Sequence, residues 1–308
     1  MPRKARMIVD GETAVYHVMS RTALDGFVLG DVEKDYLLQV VKHLSGVYFA
    51  EILGFCIMGN HFHIVTRMHP DAEYSDDDIR DRYGRYYQND KTRRLPLPNQ
   101  IPTLREKWAN LSEFMKEIKQ SFSRYYNKLR NRRGFFWSDR FKSVLMEDGE
   151  TLINCLAYVD LNPVRAGIVD RPEDYRWSSL GYHAQRTDSK KFLSLDFGLI
   201  GTKELSESQR LQRYRQFVYE VGSLETSKGR SIAAHVVENE AKKDFTPNMI
   251  DRFMDRTRYF TDSGIIGSKE FVSRLWQRLK SDEDNPNKVP IRITGLTGSY
   301  SLKRLGKC

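Results

Sequence analysis

The chain has 308 residues, 40% of them hydrophobic, and its 50 Lys and Arg against 41 Asp and Glu give a net charge of +9. A basic balance favours polyanionic partners, nucleic acid above all, but it is weak evidence until the charges are located. No apolar run approaches the roughly 18 residues of a membrane span. Residues 1–6 are basic without a following apolar segment, so we expect a cytoplasmic protein with no membrane partner. The three cysteines form no Cys-x-x-Cys pair, which argues against a structural zinc site.

The first 68 residues predict a strand, a helix and a hairpin. Residues 13–21 are rich in β-forming side chains and predict a strand. Asp31 then opens a segment with apolar residues at helical spacing. Residues 51–58 and 61–68 read as two strands joined at Gly59 and Asn60, so they predict a hairpin.

The next segment, residues 69–103, changes from acidic to basic and has three prolines near its end, Pro96, Pro98 and Pro102, so we interpret it as an inserted, partly mobile excursion. Residues 111–129 predict a long amphipathic helix. Residues 134–144 suggest a hairpin or strand, and a helix starts near Gly149 and ends near Asn162, before Pro163. Beyond about residue 190 the sequence becomes helical and polar. The tail at 288–308 has five basic side chains and no acidic one: Lys288, Arg292, Lys303, Arg304 and Lys307.

His61-Phe62-His63 is the first candidate site. Residues i and i+2 of a strand point to the same face, so the two imidazoles would lie side by side and could bind one divalent metal ion. A chance His-x-His pattern is the alternative, because the chain contains seven histidines.

Tyr158 and Asn162 form the second candidate site. They lie one helical turn apart, beside the apolar stripe that includes Leu152 and Leu156, so both side chains would project from the flank of one helix. The alternative is a half-buried packing tyrosine followed by an asparagine that simply ends the helix.

The third candidate is a basic and aromatic segment that suits single-stranded nucleic acid, because cations neutralise phosphates and aromatic rings stack on unpaired bases. The alternative is a solvated helix end followed by a hairpin whose aromatics, such as Phe135 and Trp137, belong to the core. The basic residues of this segment are Arg124, Lys128, Arg130, Arg132, Arg133, Arg140 and Lys142.

These motifs occur in an order that closely resembles the REP-associated tyrosine transposases, relatives of the single-tyrosine HUH transposases. The resemblance covers roughly residues 1–185, with Gly59 standing where that family commonly has proline. The motifs are Tyr16-His17-Val18-Met19-Ser20-Arg21, His61-Phe62-His63, Gly134-Phe135-Phe136-Trp137, Arg140-Phe141-Lys142-Ser143, Tyr158-Val159-Asp160-Leu161-Asn162-Pro163-Val164-Arg165-Ala166-Gly167 and Trp177-Ser178-Ser179.

The resemblance implies an α+β fold of ferredoxin-like or RRM-like type, with an antiparallel sheet and helices on one face. It would comprise an HUH domain at 1–185, a helical accessory region at 186–287 and the basic tail. His61 and His63 would bind Mg²⁺ or Mn²⁺, with Asn162 in the position of a polar third ligand. Tyr158 would be the nucleophile that forms a 5′-phosphotyrosine intermediate.

The implied substrate is single-stranded DNA beside a palindromic hairpin, bound by a monomer or a homodimer. Arg21 is expected to contact DNA phosphate, while His17 and His183 are expected to be structural hydrogen-bonding residues. Two alternatives stay open: a non-catalytic regulator that binds hairpin DNA, and an RNA-binding protein built on the same fold.

Overall fold

In the computed structural model, the described residues are 8, 11–88, 92, 95–146, 148–185, 192–198, 204–223, 229–245, 266–267, 269–279, 288–292 and 300–302. The main sheet contains β1 (Ala14–Arg21), β2 (Ala50–Ile57), β3 (His61–Met68) and β4 (Lys142–Met146). The helices are α1 (Asp31–Ser45), α2 (Asp76–Tyr86), α3 (Ile101–Ala109), α4 (Leu111–Leu129), α5 (Glu150–Asp160), α6 (Asn162–Arg165), α7 (Ser179–Gln185), α8 (Glu207–Ser223), α9 (Ala234–Ala241) and α10 (Lys269–Leu279). Single 3₁₀ turns lie at Asp71–Glu73, Pro98–Gln100 and Pro172–Asp174.

The main sheet has the strand order β2-β3-β1-β4, and all of its pairings are antiparallel. With α1 between β1 and β2, and α4 between β3 and β4, this is the βαββαβ arrangement of the ferredoxin-like fold. The predicted α+β fold is therefore confirmed. Its central strands, β1 and β3, are the two that carry His17, His61 and His63.

Helices α1 and α4 cover one face of the sheet. The Phe62 side chain points to this face and contacts Trp137, which in turn contacts Phe122 of α4. Helix α4 begins after Asn110, whose side chain accepts hydrogen bonds from the backbone N–H groups of Ser112 and Glu113. The apolar face predicted for this helix is buried as expected.

Helix α5 lies on the opposite face, so the expectation of helices on one face is wrong. Gly54 and His17 both pair with Val65, which places them on the same face as His63. A Cβ atom at Gly54 would lie 2.5 Å from Leu156 Cδ2 of α5, so the absence of a side chain there lets the helix approach. A β-bulge next to Gly54 interrupts the β2–β3 register after Ile52.

The segment at 69–103 is more regular than its prolines indicate. Ser75 caps α2 by accepting a hydrogen bond from the backbone of Asp78, and Ile79 and Tyr83 are buried in the core. Arg82 donates to the carbonyl oxygen of Tyr48. Its helical part therefore packs on the domain, an arrangement that a reading of turn residues alone misses.

The helical region beyond residue 185 shares the core of the sheet domain. Tyr214 and Tyr219 of α8 are buried in the same cluster as Leu156 of α5. A Cβ atom at Gly222 would lie 2.8 Å from Leu161 Cδ2 and 2.6 Å from Ile232 Cδ1. Helix α8 therefore belongs to the same core as the sheet domain, although the sequence predicts a boundary at residue 185. Its sequence reads as polar because part of its buried face consists of tyrosines.

A smaller antiparallel sheet contains β5 (Ile266–Gly267), β6 (Ile291–Arg292) and β7 (Tyr300–Ser301) in the order β5-β7-β6. Part of the predicted basic tail thus forms strands, whereas Lys303, Arg304 and Lys307 lie outside the described residues. None of the helices in the described ranges is long and apolar enough to cross a membrane.

Candidate active site

His61 and His63 lie on β3 with their side chains on the sheet face that α5 partly covers. Their ring centroids are 5.1 Å apart and the rings are nearly perpendicular. Across the sheet, His61 pairs with Arg21 and His63 pairs with Met19. The structure thus brings the two histidines together as the strand periodicity predicts.

His17 adds a third imidazole to this cluster. Its Nε2 lies 2.9 Å from His63 Nδ1, the two rings are stacked, and both side chains are buried. The expected hydrogen-bonding role of His17 therefore has a partner, which the sequence could not identify because the two residues are 46 positions apart. His183 is also buried, and its ring contacts the ring of Phe197 edge-on.

Hydrogen bonds engage the Nδ1 atom of each candidate ligand. His61 Nδ1 lies 2.8 Å from Asn60 Oδ1, so an Nδ1–H donates to that oxygen and Nε2 keeps its lone pair. His63 Nδ1 pairs with His17 Nε2, and His63 Nε2 keeps its lone pair in the tautomer in which His63 Nδ1–H donates this bond. A second hydrogen bond that orients the ring is typical of metal-binding histidines.

Burial keeps the three imidazoles neutral. It lowers the pKa of His17 to about 4 and that of His63 to about 3, where the neighbouring His17 and His61 add to the effect. The pKa of His61 is also lowered, by burial and then by Arg21. Neutral imidazoles can bind a cation without first releasing a proton.

Tyr158 approaches the histidines from α5. Its ring centroid lies 5.8 Å from that of His63 and 6.0 Å from that of His17, in edge-on arrangements. The side chain is nevertheless 41% exposed, so a substrate could reach it. The Arg165 guanidinium lies 5.5 Å from the Tyr158 ring and puts a cation beside the phenol. Sequence patterns alone predict no role for Arg165, although it stands in the same motif as Tyr158.

Buried contacts hold α5 in place at its C-terminal end. The Asp160 carboxylate accepts hydrogen bonds from Ser179 Oγ, the Leu180 backbone N–H and the Tyr214 hydroxyl, at 2.9, 2.9 and 2.6 Å. Burial raises the pKa of Asp160 to about 6 in spite of these bonds. The Asn162 amide N–H donates to the Tyr158 carbonyl oxygen at 2.9 Å. Asn162 therefore lies two residues after the end of α5, as the first residue of α6, with its amide bonded to the last turn of α5. Its third-ligand role stays a prediction.

The donor atoms on this face fit a divalent cation. Two imidazole nitrogens can bind one divalent ion, and Mn²⁺ or Mg²⁺ would in addition need oxygen ligands, for example from Asn162, phosphate or water. Within the described part of the chain, no group of three or more His, Cys, Asp or Glu side chains is placed to bind a metal. Among the described residues, a third protein ligand would thus be of another type, such as an amide oxygen.

The predicted basic residues separate into two sets. Arg21 and Lys142 are exposed on the histidine face, since Lys142 pairs with Met19, and Arg140 is exposed just before β4. Helix α4 lies on the other face, which takes Arg124 and Lys128 away from the site.

Two further arginines have structural partners. Arg130 forms a 2.7 Å ion pair with the buried carboxylate of Glu33. Arg132 holds the following loop through Asn127 Oδ1 and the Phe135 carbonyl oxygen, and Arg133 in that loop is exposed. The alternative reading of this segment is right for Trp137, which is buried, and wrong for Phe135, which is exposed.

Comparison with known proteins gives a curated relative and a solved structure with similar descriptions. No protein-family model matches the chain. A solved structure of a REP-associated tyrosine transposase bound to a REP hairpin is 15% identical, covers 63% of this chain and 92% of its own, and gives a TM-score of 0.41. A curated Haemophilus influenzae protein named "Putative REP-associated tyrosine transposase" is 28% identical over 159 residues, which are 49% of this chain and 75% of that protein. This relative confirms the resemblance that the ordered motifs indicate: the chain is similar to the REP-associated tyrosine transposases.

Proposed function

We propose that the protein cleaves and rejoins single-stranded DNA beside a palindromic hairpin, with Tyr158 as the nucleophile. The observation that carries the proposal is the position of the Tyr158 ring, which is accessible and lies beside His63, the buried member of the histidine pair. His61 and His63, together with Asn162, would hold Mg²⁺ or Mn²⁺. The name of the Haemophilus influenzae relative supports the same class of enzyme.

The reaction exchanges one phosphate ester for another. The Tyr158 oxygen attacks phosphorus, a new P–O bond forms, and the bond from phosphorus to the 3′ oxygen breaks. The phenol loses its proton to solvent, and the departing 3′ oxygen takes one up as a 3′-OH. The 5′ side stays attached as a phosphotyrosine ester, which a 3′-OH can attack to rejoin DNA without ATP.

The residues around Tyr158 have separate tasks in this scheme. Arg165, beside the phenol ring, would contact the phosphate that Tyr158 attacks. Arg21 and Lys142 would bind backbone phosphates on the exposed part of the same sheet face. His61 and His63 would hold the divalent ion, which when bound would supply positive charge to offset the charge developing on the phosphate.

A covalent-adduct experiment tests the proposal. The full chain is incubated with labelled hairpin DNA that carries a single-stranded extension, in Mn²⁺ or Mg²⁺, and an RNA hairpin of the same sequence runs in parallel. We expect a protein–DNA adduct, mapped to Tyr158 by mass spectrometry, which Tyr158→Phe abolishes and Tyr125→Phe leaves unchanged. An adduct on another tyrosine would show that Tyr158 is misassigned.

Other outcomes point to other functions. Cleavage without any adduct would indicate a metal-activated water as the nucleophile. Binding without cleavage would favour the non-catalytic regulator, and reaction with RNA alone would favour the RNA-binding alternative.

A further inference from the structure

Phe27 is an exposed aromatic residue that the proposed chemistry does not use. It lies in the loop between β1 and α1, and 83% of its side chain is accessible. A single exposed apolar side chain needs no explanation by itself. The location of Phe27 makes it informative, because its ring lies against Gly59, two residues before His61.

The backbone fixes the Phe27 loop to the start of the histidine strand. The Leu29 N–H donates to the Gly59 carbonyl oxygen at 2.8 Å, and the Thr22 N–H donates to the Asn60 carbonyl oxygen at 2.9 Å. A Cβ atom at Gly59 would lie 2.7 Å from Phe27 Cδ1 and 2.9 Å from Phe27 Cβ. The absence of a side chain at Gly59 therefore leaves the space that the Phe27 ring occupies. The family that this chain resembles commonly has proline at this position.

A second exposed ring lies on the neighbouring loop. Phe135 is 89% exposed, whereas the next two residues, Phe136 and Trp137, are buried. The Ala23 N–H donates to the Phe136 carbonyl oxygen at 2.8 Å, and the Ser138 N–H donates to the Arg21 carbonyl oxygen at 3.0 Å. The backbone at 21–23 thus connects both phenylalanine loops to the end of the sheet where His61 lies.

The chemistry around these rings indicates their ligand. Arg21 and Arg133 are exposed in the same two loops, so each ring has a cation in its own loop or in the strand leading to it. Separate aromatic faces with interspersed cations are typical of sites for single-stranded nucleic acid, where rings stack on bases and cations meet phosphates. Protein partners more often bind a contiguous apolar patch.

We propose that Phe27 and Phe135 form a base-stacking platform that binds unpaired nucleobases of the strand next to the cleaved phosphate. This inference rests on the proposed function, since it takes single-stranded DNA to be the substrate. The platform binds the single-stranded extension and makes no contact with the paired stem. Sequence-tolerant stacking would then hold the strand in position at the Tyr158 and histidine site.

Binding of two DNA probes tests the platform. The dissociation constant of the full chain is measured in EDTA for a blunt hairpin and for the same hairpin with a single-stranded extension. We expect Phe27→Ala and Phe135→Ala each to weaken binding of the extended probe about tenfold. Binding of the blunt hairpin should stay within about twofold, and Phe27→Trp should preserve the preference for the extended probe. The control is Leu97→Ala, which removes another exposed apolar side chain, in the segment at 69–103.

The outcomes separate this inference from the proposed function. Unchanged affinity of Phe27→Ala and Phe135→Ala for the extended probe would overturn the platform, even where the parent forms the covalent adduct. A selective loss for the extended probe without any adduct from the parent would support the platform and contradict the proposed catalysis. A parent that binds both probes equally would overturn the platform as well.

Discussion

The two halves of the candidate site are held in place by different kinds of contact. His61 and His63 belong to a central strand, so backbone pairing on both sides sets their positions, and Asn60 and His17 orient their rings. Tyr158 belongs to a helix that reaches the sheet through side chains, by Leu156 over Gly54 and by Asp160 with its hydrogen-bond donors. The histidine half is therefore built into the fold, whereas the tyrosine half depends on how well α5 packs.

The largest effect should come from removing a metal-site histidine from the histidine half. We expect His61→Ala or His63→Ala to lower cleavage by about 1,000-fold or more, as loss of a group essential to catalysis does. Hairpin binding should be retained, while the affinity for Mn²⁺ measured by calorimetry should fall. His235→Ala, which removes an exposed histidine of α9, is the matched control. Cleavage by His63→Ala at the parental rate would place the metal site elsewhere.

The packing of the tyrosine half can be changed without replacing Tyr158 or any other proposed reacting group. Gly54→Ala introduces a Cβ atom 2.5 Å from Leu156 Cδ2, and such overpacking costs about 1–3 kcal/mol. We expect a lower free energy of unfolding, slower adduct formation and unchanged Mn²⁺ affinity. Adding Leu156→Ala makes room for the new methyl group, so the double variant should lose less stability than the sum of the single variants. If the losses of unfolding free energy in the two single variants simply add up in the double variant, Gly54→Ala does not act through steric contact with Leu156.

The histidine half should also make the free energy of unfolding depend on pH. His17 and His63 have lowered pKa values in the folded protein, so only the unfolded chain takes up protons as the pH falls from about 6.5 to 4.5. The free energy of unfolding should therefore fall with pH, by up to about 1.4 kcal/mol per pH unit for each histidine.

Asp160 works in the opposite direction below pH 6, because its pKa is raised to about 6 and the folded state takes up its proton first. The slope of the free energy of unfolding against pH is measured by denaturant unfolding in EDTA at several pH values. His17→Gln should reduce it, and an equal slope in that variant would show that His17 is not the group responsible.

The smallest effect concerns the cations, which the structure divides between the two faces. Replacing both Arg21 and Lys142 by alanine should weaken the salt dependence of binding to single-stranded DNA. The slope of log affinity against log salt should change by about 1.4, since each lost phosphate contact accounts for about 0.7. Arg124→Ala with Lys128→Ala makes the same change in charge on the other face. The two double variants behaving alike would contradict the assignment of DNA to the histidine face.

Local patterns could predict much of this arrangement from the sequence. Alternation of apolar residues predicts β3 and its paired histidines, and the helical period predicts α4 and α5, the helix that carries Tyr158. Asn162, which the sequence predicts on the same helix as Tyr158, is the first residue of α6. The contacts that could not be predicted join distant segments. His17 meets His63 through the β1–β3 register, and Asp160 meets Tyr214 from 54 residues away. No local period encodes such pairings, because they depend on which elements pack together.

The hydrogen bond between Asp160 and Tyr214 has a consequence for shortened gene copies. A stop codon shortly after residue 185 would leave all the recognisable motifs in the product but remove α8 with the Tyr214 hydroxyl. The product would expose Leu161, which the Gly222 region of α8 covers, and would keep a buried carboxylate with fewer donors. We expect such a fragment to be degraded faster in cells than the full chain, so an intact set of motifs in a truncated reading frame is a poor guide to a working protein.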